Sequence, residues 1–373
     1  MNIAEIRGLF PGLKDTIYLN TANMSAGCTP ARDAYRGATD RWLAGRFDWT
    51  EAERAGEDAR VMFAAIVNAH PDEIALVPSV STAAGIVAAN MPAAQHGENI
   101  VVPANEFTSN YFPWLLLRER GYEIRAVATT GDGVSPEEFS GAADGGTRLI
   151  AVSAVHSPNG YQADLAAISR VAARSGAWFF VDACQAAGAV PVDVVRDGID
   201  FLAVSSHKFL LGARGMGYLF VRRELLDRMR PVLAGWKAAR SPNESFYGPA
   251  MELSPTASKL DTSTVWFAAL AEAASLGIFR QFGIQALLDR NARLSERLHD
   301  ALVAQGSAVR PFAQRHRSTI VSLPVTDTEA VMTKLRAANV VASIRAGRVR
   351  LSVHFYNLEE EIDRVAELLG SAR

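Results

Sequence analysis

The feature that most constrains the fold is a series of short segments dominated by apolar residues. They span 74–78, 99–103, 149–155, 178–181, 201–204 and 218–221. A strand with one face in water alternates apolar and polar residues. A run without that alternation belongs in a sheet covered on both faces. Between these runs lie stretches with helical character at 81–90, 111–120 and 165–175, the last with apolar residues at 165, 168, 171 and 172. Strands separated by helices predict a mostly parallel, doubly wound α/β sheet. Ligands of such sheets sit outside the carboxyl ends of the strands, so the polar residues that follow each strand are the first candidates for chemistry.

Beyond residue 230 the pattern changes. The stretch 230–264 carries Pro231, Pro242, Pro249 and Pro255 with little periodicity and reads as an irregular crossing between domains. Helices are expected at 265–282, 284–305, 327–338 and 358–369, and strands at 318–324, 340–345 and 348–353. Asn357, with Glu360 three residues on, resembles a capping box at the start of the last helix. The expected organisation is a large domain over 15–245 and a smaller C-terminal α/β domain over 246–373, which the segment 1–14 joins.

The chain has 373 residues and a net charge of −2, which implies neither a nucleic-acid partner nor a polybasic membrane partner. No apolar stretch approaches the ~18–20 residues of a membrane span, and the N-terminus lacks the apolar core of a secretory signal. The two cysteines, Cys28 and Cys184, form neither a disulfide framework nor a zinc pattern. A cytoplasmic protein with free thiols is the expectation. The seven histidines are scattered without metal-ligand spacing, so no metal is expected. A serine-hydrolase G-x-S-x-G elbow is absent.

Three segments carry chemistry. In WFFVDACQ, Asp182 follows a buried strand, where a carboxylate is costly unless partnered. It is a partner for a protonated ring nitrogen, a helix cap, or half of a structural ion pair. In VSSHKFLLGARGMG, Lys208 lies just past the next strand. Desolvated beside a carbonyl cofactor, a lysine there forms a Schiff base; otherwise it is an exposed loop lysine. The glycine run 212–217 is not a dinucleotide fingerprint, because its spacing is G-x-x-G-x-G and it precedes a strand. In PSVSTAAG, Ser81 and Thr82 stand at a helix start, which suits either phosphate binding or an ordinary cap.

The order of these segments resembles the class V aminotransferase family of pyridoxal 5′-phosphate (PLP) enzymes, which includes cysteine desulfurases, isopenicillin N epimerase-like proteins, kynureninases and ergothioneine-type C–S lyases. The likeness runs from Tyr18-Leu19-Asn20-Thr21-Ala22 to the tail 349–357, VRLSVHFYN. It implies fold-type I, with a mostly parallel seven-stranded sheet and a smaller C-terminal domain. It implies that Lys208 carries PLP and is the catalytic base, that Asp182 pairs with the ring nitrogen, and that Gln185 bonds the ring oxygen. Ser81, Thr82, Ser205 and His207 are implied to hold the phosphate, and Arg350 to clamp the substrate α-carboxylate. Thr264 matches a residue that reaches the neighbouring subunit's phosphate, although Ser263 replaces the family's glycine. That role implies a homodimer with shared active sites.

Other positions depart from the family. Phe107 or Thr108 stands where desulfurases place a histidine on the ring. Ser157 replaces an asparagine near the ring oxygen, and His156 either lines the pocket or packs. No cysteine follows Cys184, which disfavours an enzyme-bound persulfide. Trp49, Tyr111, Trp114 and Trp236 either shape a bulky substrate pocket or are core. The implied function is action at Cα or Cβ of an amino acid or S-conjugate, C–S lyase-like or epimerase-like. Transamination is the alternative, with decarboxylating or kynureninase-like action further off. A fold that has lost catalysis and only binds is the alternative of a different class; retention of Lys208, Asp182 and Arg350 argues against it.

Overall fold

The computed structural model describes residues 2–129, 133–309 and 312–370. Met1 and residues 371–373, at the ends of the expected C-terminal unit, lie outside the described residues. In chain order the elements are α1 (Ile3–Gly8), β1 (Ile17–Tyr18), α2 (Thr29–Leu43), α3 (Trp49–Ile66), β2 (Ile74–Val77), α4 (Val80–Ala89), β3 (Asn99–Pro103), α5 (Phe112–Leu115), β4 (Glu123–Val127), α6 (Pro136–Ala142), β5 (Thr147–Ser153), α7 (Leu165–Ser175), β6 (Trp178–Asp182), β7 (Phe201–Ser205) and β8 (Gly217–Val221). There follow α8 (Trp266–Phe282), α9 (Ile284–Ala304), β9 (Ile320–Pro324), α10 (Thr328–Ala337), β10 (Val340–Val341), β11 (Ser343–Arg345), β12 (Arg348–Ser352) and α11 (Glu359–Gly370).

The main sheet has seven strands in the order β2-β8-β7-β6-β5-β3-β4. All neighbours run parallel except β8, which is antiparallel to both β2 and β7. Its faces explain the continuous apolar runs. Val181, Leu202 and Ile150 point into one core, while Phe180, Phe201 and Leu149 point into another on the opposite face. Each such side chain contributes about 1.5–3 kcal/mol by leaving water.

The strands expected from these runs appear within two residues of their predicted ends. The seventh, β4, has no such run. It is an edge strand paired only to β3, and its exposed Glu123 and half-buried Arg125 pair with each other. The expected helix 111–120 is instead the single turn α5 followed by a 3₁₀ stretch, Leu116–Arg120, ended by Gly121 at φ 91°. The helices α2 and α3, not anticipated, pack against α8.

The three-stranded antiparallel sheet β11-β12-β9 closes a second core with α9, α10 and α11, through Leu298, Leu335, Val349, Leu351 and Ile362. Along α9, Leu287 belongs to the first core and Leu294 to the second. The expectation set the domain division at 245/246; on this packing, we place it within α9. The expected strand 340–345 is two strands in different sheets, with β10 on β1 and β11 on β12. The expected capping box at Asn357 is also corrected. The Asn357 side-chain oxygen accepts from the His354 N–H, and Glu361, not Glu360, reaches back to the Leu358 N–H. No helix among the described residues is long and apolar enough to cross a membrane.

Candidate active site

Loops at the carboxyl ends of β3, β5, β6 and β7, the start of α4, and the hairpin β11–β12 surround one cleft of about 460 Å³. The sheet's strand order reverses direction between β3 and β5, the place where open α/β sheets bind ligands.

Asp182 is the last residue of β6 and is buried. Its carboxylate accepts the Cys184 N–H at 2.8 Å. Burial pushes its pKa up, against that hydrogen bond and the nearby positive charge of Lys208. Ser205 ends β7, and its hydroxyl accepts the Val80 N–H at the start of α4. Lys208 follows on the next loop, with Nζ 5.7 Å from the centre of the Phe107 ring. That loop is anchored from beneath by Glu272 of α8. The buried carboxyl accepts from the Ser206 hydroxyl, the Ala213 N–H and the Tyr218 hydroxyl. A Cβ on Gly212 would fall 1.9 Å from Glu272 Oε2, so glycine is required for that approach.

The helix α4 begins one residue earlier than expected. Its cap is Ser79, whose hydroxyl accepts the Thr82 N–H at 3.2 Å. Ser81 and Thr82 therefore lie in the first turn, with the Ser81 hydroxyl 3.0 Å from that of Ser79. Beside them, His207 has its Nδ1 buried without a hydrogen-bond partner. Burial, with Lys208 and Arg214 adding to it, pulls the His207 pKa down to about 4.

Phe107 is 52 % exposed and presents its ring to the cleft, whereas Thr108 turns to a neighbouring groove with Phe112 and Leu116. The Phe107 N–H and both donors of Ser153 bond Glu106, whose carboxyl burial pushes up to about 7. Arg350, 1 % exposed, comes from the middle of β12. Its guanidinium donates to Ser343 Oγ and to the Ser157 carbonyl and hydroxyl oxygens. Among the described residues no carboxylate pairs with it. Ser157 Oγ also accepts from Gln185 Nε2. With both lone pairs taken, the Ser157 hydroxyl has its proton free to donate. Gln185 Nε2 is further committed to the Ala22 carbonyl, and its Oε1 is buried without a partner. As it stands, the Gln185 side chain offers a ring oxygen only an acceptor, which suits a ring hydroxyl and not an ionised ring oxygen.

Thr264 does not reach this cleft. Its hydroxyl donates to Glu53 at 3.2 Å, on a segment that the buried Arg60–Asp261 pair ties to β2. The tryptophans are core or lie apart. Trp114 is fully buried against Phe180, and Trp49 packs on Trp236 and Trp266. Tyr111 packs against the second-face core and lines no part of the cleft. His156 ties Asn159 to the Asn105 carbonyl and lines no part of the cleft either. Cys184 is buried with its sulfur accepting the Ser205 N–H, and burial pushes its thiol up to about 12. Sequence reasoning missed Ser79, Glu106, Ser153, Arg214 and Arg345. For Ser79 the signal was present: a serine three residues before Thr82 marks a cap as well as Ser81 does.

The orphaned atoms test what the cleft holds. A buried carboxylate with spare acceptor capacity, a buried imidazole nitrogen, a free hydroxyl proton and an exposed aromatic face are unmet needs in one protein. A flat pyridine ring with a phosphate arm and a ring oxygen meets them together. PLP fits these residues.

Comparison with known proteins agrees. The model of the aminotransferase class-V family matches residues 47–365. An "Uncharacterized aminotransferase YcbU" of Bacillus subtilis is 30 % identical over 97 % of both chains. A "Probable cysteine desulfurase" of Methanothermobacter thermautotrophicus is 29 % identical over 99 % of this chain and 98 % of its own. A solved complex of the cystine C–S lyase C-DES with cysteine persulfide superposes with a TM-score of 0.86 at 21 % identity, covering 97 % of this chain and 99 % of that one. The last likeness shows the fold, that of fold-type I.

Proposed function

The chain belongs to the class V aminotransferase family, and from that premise we propose that it is a PLP enzyme that cleaves a C–S bond at Cβ of an amino acid. The observation that carries the reading is the convergence of Lys208, Asp182 and an unpaired, buried Arg350 on one cleft. PLP, when bound, supplies an electron sink for the electrons left at Cα.

The protein's own groups do the rest. Lys208 would attach the cofactor through Nζ and, when free, would accept the Cα proton of the substrate. Asp182 would hydrogen-bond the ring nitrogen and so keep a proton on it. Ser79, Ser81, Ser205, His207 and the N–H groups of α4 would hold the phosphate, where the helix end favours negative charge. Thr82 lies in the same first turn. Phe107 would cover the ring, and the Ser157 hydroxyl would be free to donate to its oxygen. Arg350 takes the α-carboxylate as a bidentate pair, which also protects that carboxylate from loss.

The choice of elimination rests on what receives the sulfur. Cys28 and Cys184 are both buried, and the Cys184 thiol is held far above neutrality. Cys184 lines the cleft, but its thiol stays protonated and is a poor acceptor of a sulfur atom, so the group leaves as a free thiol, protonated from Lys208. The naming of relatives as cysteine desulfurases supports chemistry at a cysteine-like Cβ. The proposal includes a cytoplasmic homodimer. Supporting it are the free thiols and the position of Thr264 outside its own chain's cleft.

Product analysis tests the reading. With S-conjugates of cysteine, the expected products are a thiol, pyruvate and ammonia. A keto acid that retains its β-substituent refutes elimination in favour of transamination. Solvent deuterium at Cα without net change refutes it in favour of epimerisation. Lys208→Ala is expected to abolish both turnover and the visible absorption of bound cofactor.

A further inference from the structure

Four cations line the cleft, Lys208, Arg214, Arg345 and Arg350, against the single carboxylate of Asp182. A cofactor phosphate and one α-carboxylate, with Asp182, balance these charges in sum, but with Arg214 at the phosphate end and Arg350 on the α-carboxylate, Arg345 keeps no anion of its own. Where Arg345 sits is decided by the hairpin β11–β12. Its register pairs Ser343 with Arg350 and Arg345 with Arg348. Residues two apart on a strand share a face, and so do residues directly opposite on paired strands. Arg345, Ser343 and Arg350 therefore share one face, while Val349 and Leu351 fill the core behind. Diagonal neighbours of this kind lie roughly 7–8 Å apart at the backbone, close enough for both guanidinium groups to face one small ligand.

Two like charges held diagonally repel. Burial pulls the Arg350 pKa down to about 10, and the charge of Arg345 adds to that shift. Among the described residues, no carboxylate pairs with either arginine. Arg345 is steadied by Asn23, another cleft residue, whose side-chain oxygen accepts from Nη2 at 2.9 Å. The turn that follows has Ala346 at φ 48° and Gly347 at φ 71°, the two-residue geometry that closes a tight hairpin. It is strained for alanine, and it holds Arg345 at the cleft. Arg214 is separate from this pair. Its charge acts on His207, at the end of the cleft where α4 begins, so it belongs with the phosphate.

We infer that the substrate carries a second acidic group on its β-substituent, and that Arg345 receives it while Arg350 holds the α-carboxylate. The inference rests on the reading of the cleft as a PLP site for amino acids. It narrows the substrate class to S-linked cysteine conjugates that bear a carboxylate or an equivalent acid.

The test compares two nearly isosteric ligands, S-carboxymethyl-L-cysteine and S-carbamoylmethyl-L-cysteine, added to the PLP-loaded protein. Binding is read from the change in the cofactor's visible absorption. The wild type is expected to bind the acid tighter by about tenfold, the worth of one charge-assisted contact. In Arg345→Gln the ratio falls towards one, and Arg345→Lys retains part of it. Thermal melting of both variants establishes that they are folded. Equal binding by the wild type, or a preference unchanged in Arg345→Gln, overturns the inference. A wild-type protein that takes up no PLP overturns the functional reading itself, and the inference with it. The absorbance of the protein before ligand addition separates the two failures.

Discussion

Arg350 concentrates the chemistry at the scale of single residues. A guanidinium this deeply buried ordinarily pairs with an acid, yet it bonds only a serine pair and a carbonyl. The missing anion is what supports the recognition role proposed for it. Arg350→Ala is expected to weaken amino-acid binding by about 2–5 kcal/mol, the usual cost of truncating a buried charge pair, with little effect on PLP uptake. Spectral titration with an amino acid checks both parts; unchanged affinity refutes the clamp. Asp182 and Lys208 were legible in the sequence because each follows a strand with no polar alternation, and the end of such a strand is where a polar residue must find a purpose. Arg345 was not legible. Nothing near it in sequence tells which way it points until the register of β11 on β12 is known.

At the scale of elements, the loop from Ser205 to Gly217 depends on α8. Glu272 holds Ser206, Ala213 and Tyr218, and burial pushes its pKa from 4.5 up to about 7, against those hydrogen bonds. A carboxyl whose pKa rises on folding binds protons more tightly in the folded state. Its contribution to stability is therefore full below about pH 4.5 and is lost as pH rises through about 7. The stability difference between wild type and Glu272→Gln is expected to shift against the wild type over that interval. Denaturant unfolding of both proteins at several pH values measures it, and a flat difference refutes the shift. The comparison cancels the opposite trend of His207, whose lowered pKa makes stability rise with pH between about 4 and 6.5. Glu272 lies 64 residues beyond Lys208 in a helix whose apolar pattern alone predicts only that it is buried, so its role was invisible before folding.

For the whole molecule, the cleft is a junction. One wall is the edge of the seven-stranded sheet, and the other is the small sheet that brings in Arg345 and Arg350. A ligand that spans such a junction stabilises both cores at once. Loading with PLP at about a hundredfold excess over its dissociation constant is expected to add about 2.7 kcal/mol of stability. Removal of PLP is expected to lower the melting temperature, and Lys208→Ala to blunt the response. Thermal melts across a PLP titration measure this; a melting temperature indifferent to PLP refutes it.

The sequence by itself determined the alternation of buried strands and helices, and so the parallel sheet. It also determined the places where Asp182 and Lys208 leave that sheet. Those are local facts: burial on both faces removes the polar alternation, and the strand end follows from the run. The edge strand β4 escaped that logic because it is only partly covered, with Glu123 and Ala126 exposed, whereas the other edge strand, β2, is buried throughout. Tertiary structure decided what comes from distance. It set the divided path of 340–345 between two sheets, the anchor at Glu272 and the face on which Arg345 meets Arg350. These depend on strand register and on contacts between segments far apart in the chain, and a pattern of neighbouring residues carries no record of them.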